Sequence, residues 1–363
     1  MLVFLDNGRR ATISLLKECP DCAPVVKMHI LGPVLALSVS SLLQDLALDS
    51  LLAFLEQIIR SEAVEYSDLL AMFRKREEEA LGKHATYNLA RCIAVITAST
   101  SAENRQAVVD ETLALLEKVE TPEDAKELRR VTLALLVSGD LGSLEADVAD
   151  KLQNIYTEYF LSPSEDLKHA AAYALGRASV GNQSVFLPVI VNSLGEKNQK
   201  KQYLLLSALR EYIKCSFRES GGDEVATSLP LILPHLEQHC KEAEEGTRAM
   251  VAECLGSLTC MQPDTMLKKL VEMQDAHSKI SAPGGVLDPE DAKSKENALV
   301  CWTVATSLKL AIAGKLKPPE LAPYMPGFLK LLQEEELSVR NAALLMTVSV
   351  FFYSLFSSPC SGN

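Results

Sequence analysis

His235 and His239 stand four residues apart, with Glu237 between them and Cys240 directly after the second. On a helix, histidines at i and i+4 share a face and could hold a metal ion. A zinc protease motif needs His-Glu-x-x-His, and here the glutamate comes one place late. The pair reads as structural or surface histidines, and no metal site is expected. Cys19-Pro20-Asp21-Cys22 is the other close cluster. A redox C-x-x-C sits where a strand turns into a helix, and no strand pattern lies nearby. A zinc site would need a second ligand pair, which the sequence lacks. No phosphate loop of the G-x-x-x-x-G-K type occurs, and Gly284-Gly285 reads as filler in a Pro/Gly-rich loop over 281–291. No glycine-rich turn presents a Ser or Cys nucleophile. Neither catalysis nor a cofactor, nor a small-molecule substrate, is expected. The run Arg74-Lys75-Arg76-Glu77-Glu78-Glu79 cancels its own charge and reads as a solvated segment.

The elements that would carry any site are helices. Leu167, Ala170, Ala171, Ala174, Leu175 and Ala178 fall at i, i+3, i+4, i+7, i+8 and i+11, one apolar face of a helix. The alanines let a neighbouring helix come close. Glu165 and Asp166 sit where a helix start favours negative charge. The same pattern returns from Lys200 to Leu209 and from Glu244 to Gly256. In each copy a polar or basic residue is followed six places on by a small residue and then leucine: Lys168 to Ala174-Leu175, Gln202 to Ala208-Leu209, Arg248 to Cys254-Leu255.

The spacing of these markers gives the architecture. Lys83, Arg129, Lys168, Gln202, Arg248, Lys295 and Arg340 follow one another at 46, 39, 34, 46, 47 and 45 residues. Helix-pair repeats of about 40–47 residues are HEAT or armadillo-like, whereas tetratricopeptide and ankyrin repeats lie near 34 and 33. The expected fold is all-α, a HEAT-repeat α-solenoid with an armadillo-like superhelix of roughly eight helix pairs. Helices are expected over 30–40 and 46–59, 67–74 and 84–97, 106–119 and 127–137, 144–159 and the first copy. Further ones are expected over 183–194 and the second copy, 226–240 and the third, 263–273 and 294–312, 323–332 and 337–348. Three regions follow: a poorly defined segment over 1–26, the solenoid over 27–346, and a divergent apolar tail over 347–363. In such a stack each repeat buries its face against its neighbours, so it behaves as one cooperative body.

Composition agrees. The 363 residues are 48% hydrophobic but only 6% aromatic, with a single tryptophan, Trp302. That suits Leu/Ala-rich helix packing. The formal charge of −12 is a poor match for a phosphate backbone, so nucleic acid is not an expected partner. Nine cysteines without a framework point to a reducing compartment, here cytoplasm, nucleus or both. The start of the chain shows no secretory pattern. The apolar run over 342–356 is shorter than the ~18–20 residues a membrane span needs, so no membrane association is expected.

Longer runs carry a resemblance. Leu161-Ser162-Pro163-Ser164-Glu165-Asp166-Leu167-Lys168, then Ala171 through Gly176 and Ser179-Val180-Gly181-Asn182, resemble the cullin-associated, neddylation-dissociated proteins (the TATA-binding-protein-interacting type). So do Lys201 through Leu206, and His239 through Arg248 continuing to Gly256. Weaker similarity spans roughly 30–343. The resemblance implies a later-middle portion of a longer HEAT solenoid that wraps unneddylated cullin–RING ubiquitin ligases. It implies a non-catalytic scaffold that regulates ligase assembly and substrate-receptor exchange. The family's adaptor-displacing hairpin and its RING-side region have no counterpart here, and a truncated chain accounts for the ending after Met346. Period and charge alone would equally fit an importin-β-like transport receptor, or a scaffold for a phosphatase or tubulin.

Second helices and the turns before them commonly line the concave face of HEAT stacks. The expected partner-binding residues are therefore Lys200, Lys201, Glu244, Glu245 and Arg248. Lys200 and Lys201 open a helix against the preference of its dipole, which favours a role beyond stability. For Arg248 the competing expectation is an ion pair with an acid in the adjacent repeat. Tyr203 reads as packing. The apolar last helix predicts self-association of the isolated chain, which a sharp monomer peak on gel filtration would contradict.

Overall fold

The computed structural model describes residues 23–357 except 81, 119–121, 197, 221–222, 279–291 and 315. The Cys19-Pro20-Asp21-Cys22 motif, Gly284-Gly285 and residues 358–363 lie outside them. The described residues form helices and turns with no strand. The all-α HEAT-repeat class is what the structure shows.

The chain divides into two compact units, Met1–Pro188 and Val189–Asn363. In the first, a short helical turn leads into α1 (Leu31–Ser38), followed by α2 (Asp45–Arg60), α3 (Tyr66–Lys75), α4 (Lys83–Ala98), α5 (Ala102–Lys118), α6 (Ala125–Gly139), α7 (Ala146–Tyr159) and α8 (Glu165–Ala178). The even-numbered helices form one layer: α2 packs on α4, α4 on α6 and α6 on α8. The odd-numbered ones form the other, with α3 on α4, α5 on α6 and α7 on α8. A second-layer helix thus has neighbours on three sides, which is why α4 buries Ala85, Leu89, Ala90, Cys92, Ile93, Ala94 and Ile96 around much of its circumference.

The face read from the sequence is the face that packs. Leu167, Ala170, Ala171, Ala174 and Leu175 of α8 are fully buried and Ala178 nearly so. The small residues set the helix separation. A Cβ placed on Gly139 of α6 would lie 2.7 Å from the Ala174 Cα and 2.9 Å from its carbonyl oxygen. Only a glycine opposite an alanine allows backbones to come this near.

Turns are tied across repeats as well. After α8, Gly181 takes φ +81°, a conformation in which a Cβ is strained. The turn sets Asn182 to donate to the Gly142 carbonyl at 2.9 Å and to accept from the Leu144 amide at 2.9 Å. The run Ser179-Val180-Gly181-Asn182 is therefore a brace between the loop after α8 and the loop after α6. Asn88 does the same for the α1–α2 connection, donating to Ser40 and Leu43 carbonyls at 2.9 and 2.8 Å.

Helix α9 (Gln183–Leu194) carries the unit boundary. The second unit continues with α10 (Gln199–Ser220), α11 (Asp223–His239), α12 (Glu245–Met261), α13 (Pro263–His277), α14 (Ala292–Ala313), the short helices α15 (Pro318–Leu321) and α16 (Met325–Phe328), and α17 (Leu337–Ser357). Its second layer is α10 on α12, α12 on α14 and α14 on α17; α11 and α13 form the first layer. The helix expected over 323–332 is instead broken into α16 and a 3-10 segment, Leu329–Gln333. Pro323, Pro326 and Gly327 explain this, since prolines remove amide donors and glycine weakens the helix. Helix α17 runs on past Met346 without a break. Val339, Ala342, Ala343 and Met346 are buried, the first three in a cluster with Cys301 and Ala305 of α14, while Leu344, Leu345, Val348 and Phe351 are exposed.

Candidate functional site

The expected partner residues lie at the starts of α10 and α12. At α10, Asn198 caps the helix by accepting from the Lys201 amide at 3.2 Å. Lys200 is exposed, and Lys201 reaches back to Glu196 at 2.7 Å. Gln202 donates to the Glu196 carbonyl at 2.8 Å. At α12, Glu244 accepts from the amides of Gly246 and Thr247 at 3.0 and 2.6 Å and from the Thr247 hydroxyl. The Thr247 bonds, side chain first, hold the Glu244 carboxyl below its usual range. Glu244 and Glu245 are exposed.

Arg248 corrects an expectation. It is 8% exposed, and among the described residues no ion pair joins it to an adjacent repeat. Its Nη1 donates at 2.7 Å to both the Glu242 and the Ala243 carbonyls, and its guanidinium lies 5.1 Å from the Trp302 ring centroid. Arg340 repeats the device, donating at 2.7 Å to the Glu334 and Glu335 carbonyls. Arg248 and Arg340, two of the recurring basic residues of the second unit, thus satisfy carbonyls of the turn that precedes their own helix. Because lysine lacks the planar guanidinium that lies against the Trp302 ring while its Nη1 reaches both carbonyls, Arg248→Lys is expected to loosen the turn and shift the emission of Trp302, the sole tryptophan. An unchanged emission spectrum would contradict that assignment.

Ion pairs between repeats do exist, with other residues. Arg177, near the end of α8, pairs with Asp140, the residue that ends α6. Arg210 and Lys214 of α10 both reach Glu253 of α12 at 3.4 Å. These partners are 37, 43 and 39 residues apart, about one repeat, which is the signal that could have found them.

His235 and His239 lie one turn apart on α11 in different surroundings. His239 is 1% exposed, and its Nδ1 lies 3.3 Å from the Glu242 carboxylate. Burial and then the neighbouring His239 hold the His235 imidazole below its usual value. Glu237 is turned to Lys269 at 3.0 Å. The Cys240 thiol bonds the Leu236 carbonyl, and burial pushes it up to about 12, as it does for Cys92, Cys254 and Cys301. Such thiols are not poised as nucleophiles. Among the described residues no three His, Cys, Asp or Glu could hold a metal together. None of the described helices is long and apolar enough to cross a membrane.

Two cavities among the described residues of the first unit bear on function. The larger, about 530 Å³, has an apolar floor from Ile93, Val108, Leu133 and Val137 and a rim that includes Arg74, Glu78, Glu111 and Lys126. The charged run expected to be solvated is therefore part of a cavity wall. Its pairs, Arg74 with Glu111 and Lys126 with Glu78, are exposed to solvent screening and add little to stability. The smaller cavity, 130 Å³, is lined by Lys83, Thr86, Tyr87, Arg129, Asp166 and His169 among others.

With this geometry in place, relatives can be compared. No family model matches the chain. It is 33% identical over 353 residues to Cullin-associated NEDD8-dissociated protein 1 of Dictyostelium discoideum, covering 94% of this chain and 26% of that one. The chain is homologous to the cullin-associated NEDD8-dissociated proteins. Protein 1 of Arabidopsis thaliana is 30% identical, covering 92% and 26% of the two chains. Cullin-associated NEDD8-dissociated protein 2 of Mus musculus is 29% identical, covering 90% and 25%. The chain spans about a quarter of the length of these relatives. Among solved structures, Kap121p bound to Nup53p gives a TM-score of 0.46 at 12% identity, covering 94% of this chain and 36% of that one. That likeness carries no argument about function. The resemblance read from the sequence thus extends across nearly the whole chain.

Proposed function

We propose that this chain is a non-catalytic scaffold that binds unneddylated cullin–RING ubiquitin ligases and takes part in ligase assembly and substrate-receptor exchange. The observation that carries the reading is the identity of 28–33% to proteins named for cullin association and NEDD8 dissociation, over about nine-tenths of this chain. The stacked helix pairs support it, since such stacks present long surfaces to other proteins. The reading places the protein in the cytoplasm, the nucleus or both, without nucleic acid, membrane or cofactor.

Lys200, Lys201, Glu244, Glu245 and Arg248 remain the proposed contact set, with distinct roles. Lys200, Glu244 and Glu245 are the exposed members a partner can reach. Arg248 is buried and acts by holding the turn that presents Glu244. An affinity capture from purified components tests the reading against a transport receptor. Immobilised chain is expected to retain an unneddylated cullin–RING complex and not a GTP-loaded small GTPase of the nuclear transport type. The reverse pattern would replace the scaffold reading with the transport one. Charge reversal at Lys200 and Lys201 is expected to weaken capture of the complex several-fold, and an unchanged affinity would remove those two residues from the set.

A further inference from the structure

The 130 Å³ cavity of the first unit gathers residues from three successive second-layer helices: Lys83, Thr86 and Tyr87 of α4, Arg129 of α6, and Asp166 and His169 of α8. In a chain of net charge −12, this cavity brings two cations together. Among the described residues neither Lys83 nor Arg129 has an ion-pair partner within 4 Å, and Arg129 shares the field of Glu77 and Glu78, which stand outside the cavity wall. The basic residues at the matching places in later repeats are committed otherwise: Lys168 to Glu165, Arg248 and Arg340 to turn carbonyls. Asp166 is the single acid in the wall, and it is exposed. Tyr87 supplies an apolar side. Its ring meets that of Tyr173 edge-on at 4.7 Å, and the Lys83 ammonium stands 5.7 Å from its centroid.

The backbone adds to the same field. Helix α4 has no acid in its first turn and no side-chain cap at Gly82, whereas α6 and α12 are capped by Asp124 and Glu244. Uncapped amides at a helix start carry partial positive charge. Burial, then the Lys83 ammonium, lower the His169 imidazole from its usual value. The space suits the carboxylate head of one side chain, with its methylenes against Tyr87.

We propose that this cavity is a docking pocket for a carboxylate side chain from an acidic segment of a protein partner. The inference rests on the scaffold reading only for the identity of that partner. Its occupant is a peptide carboxylate and not a free anion, because the aromatic wall favours an attached methylene chain over a fully hydrated ion.

The test is a fluorescence-anisotropy titration of the purified full chain with a short fluorescein-labelled Glu-rich peptide. The expected result is binding that weakens with added salt and falls at least tenfold in a Lys83→Glu, Arg129→Glu variant. Should that variant lose helicity, Lys83→Gln with Arg129→Gln replaces it, with the same direction expected. Charge reversal at Lys268 and Lys330, two exposed positions of the other unit, is expected to change peptide affinity less than twofold. Three results would overturn the proposal: no binding by the unaltered chain, equal binding by the cavity variant, or full displacement of the peptide by inorganic phosphate at equal concentration. None of these arms uses a cullin, so failure of the scaffold reading would show separately, as an unaltered chain that binds this peptide but no cullin–RING complex.

Discussion

Replacing Asp140 with alanine is expected to destabilise the first unit by about 3–5 kcal/mol, the largest single effect among its charged residues. Asp140 ends α6 and Arg177 closes α8, and their side chains are 9% and 10% exposed. Arg177 also lies 5.6 Å from the Tyr173 ring centroid, so its guanidinium is walled in on more than one side. The pair itself contributes little net stability, because desolvation of both ions offsets most of their attraction. Removing one member is different, since it takes the Asp140 carboxylate from a nearly dry guanidinium and loses their attraction while the cost of burying the cation stays. A melting temperature lower by roughly 10 °C follows for a unit of this size. Asp140→Ala combined with Arg177→Met is expected to recover more than half of the loss, because the cost of burying the cation goes with it. Thermal melts followed by circular dichroism check both. A single variant that melts within a degree or two of the parent would show that Arg177 finds water or another acid.

Gly256→Val is expected to cost about 3 kcal/mol, at the upper end for overpacking. A Cβ at Gly256 of α12 would stand 2.8 Å from the Ser307 carbonyl oxygen and 3.1 Å from the Leu310 Cβ of α14. The obstacle is mainly backbone, so no side-chain rotation relieves it. The two second-layer helices must separate, and Leu255, Val304, Leu308 and Ala311, all buried there, lose packing together. Gly327→Ala serves as the control. A Cβ there meets nothing within 4 Å, and its cost is expected to stay within about 0.5 kcal/mol. Equal urea midpoints for the two variants would contradict the close approach of α12 and α14.

Much of this arrangement was legible in the sequence. Helix positions followed from apolar spacing, and the pairing from the period of the marker residues, because both depend on local identities repeated along the chain. The burial of Leu167 through Ala178 followed for the same reason. The destination of long polar side chains did not. Arg248 could have reached an adjacent repeat, and its commitment to the Glu242 and Ala243 carbonyls depends on turn geometry that spacing does not encode. The repeat-to-repeat pairs went instead to Arg177 and Arg210, which lie away from the helix starts where the markers drew attention. The cavity wall formed by Arg74, Lys75, Glu77 and Glu78 was hidden for a related reason. Charges that cancel along the sequence are separated once a helix ends and the chain turns, here after α3. The pocket of Lys83, Arg129 and His169 was half visible: two of its members are period markers, but their convergence needs α4, α6 and α8 in contact.

The scaffold reading is most directly tested by titrating the purified chain, shown to be helical and monomeric, against an unneddylated cullin–RING complex and its neddylated form. Saturable binding to the unmodified complex alone is the predicted result. Absence of binding to either form would contradict the reading and leave homology in sequence and fold without the partner the relatives are named for.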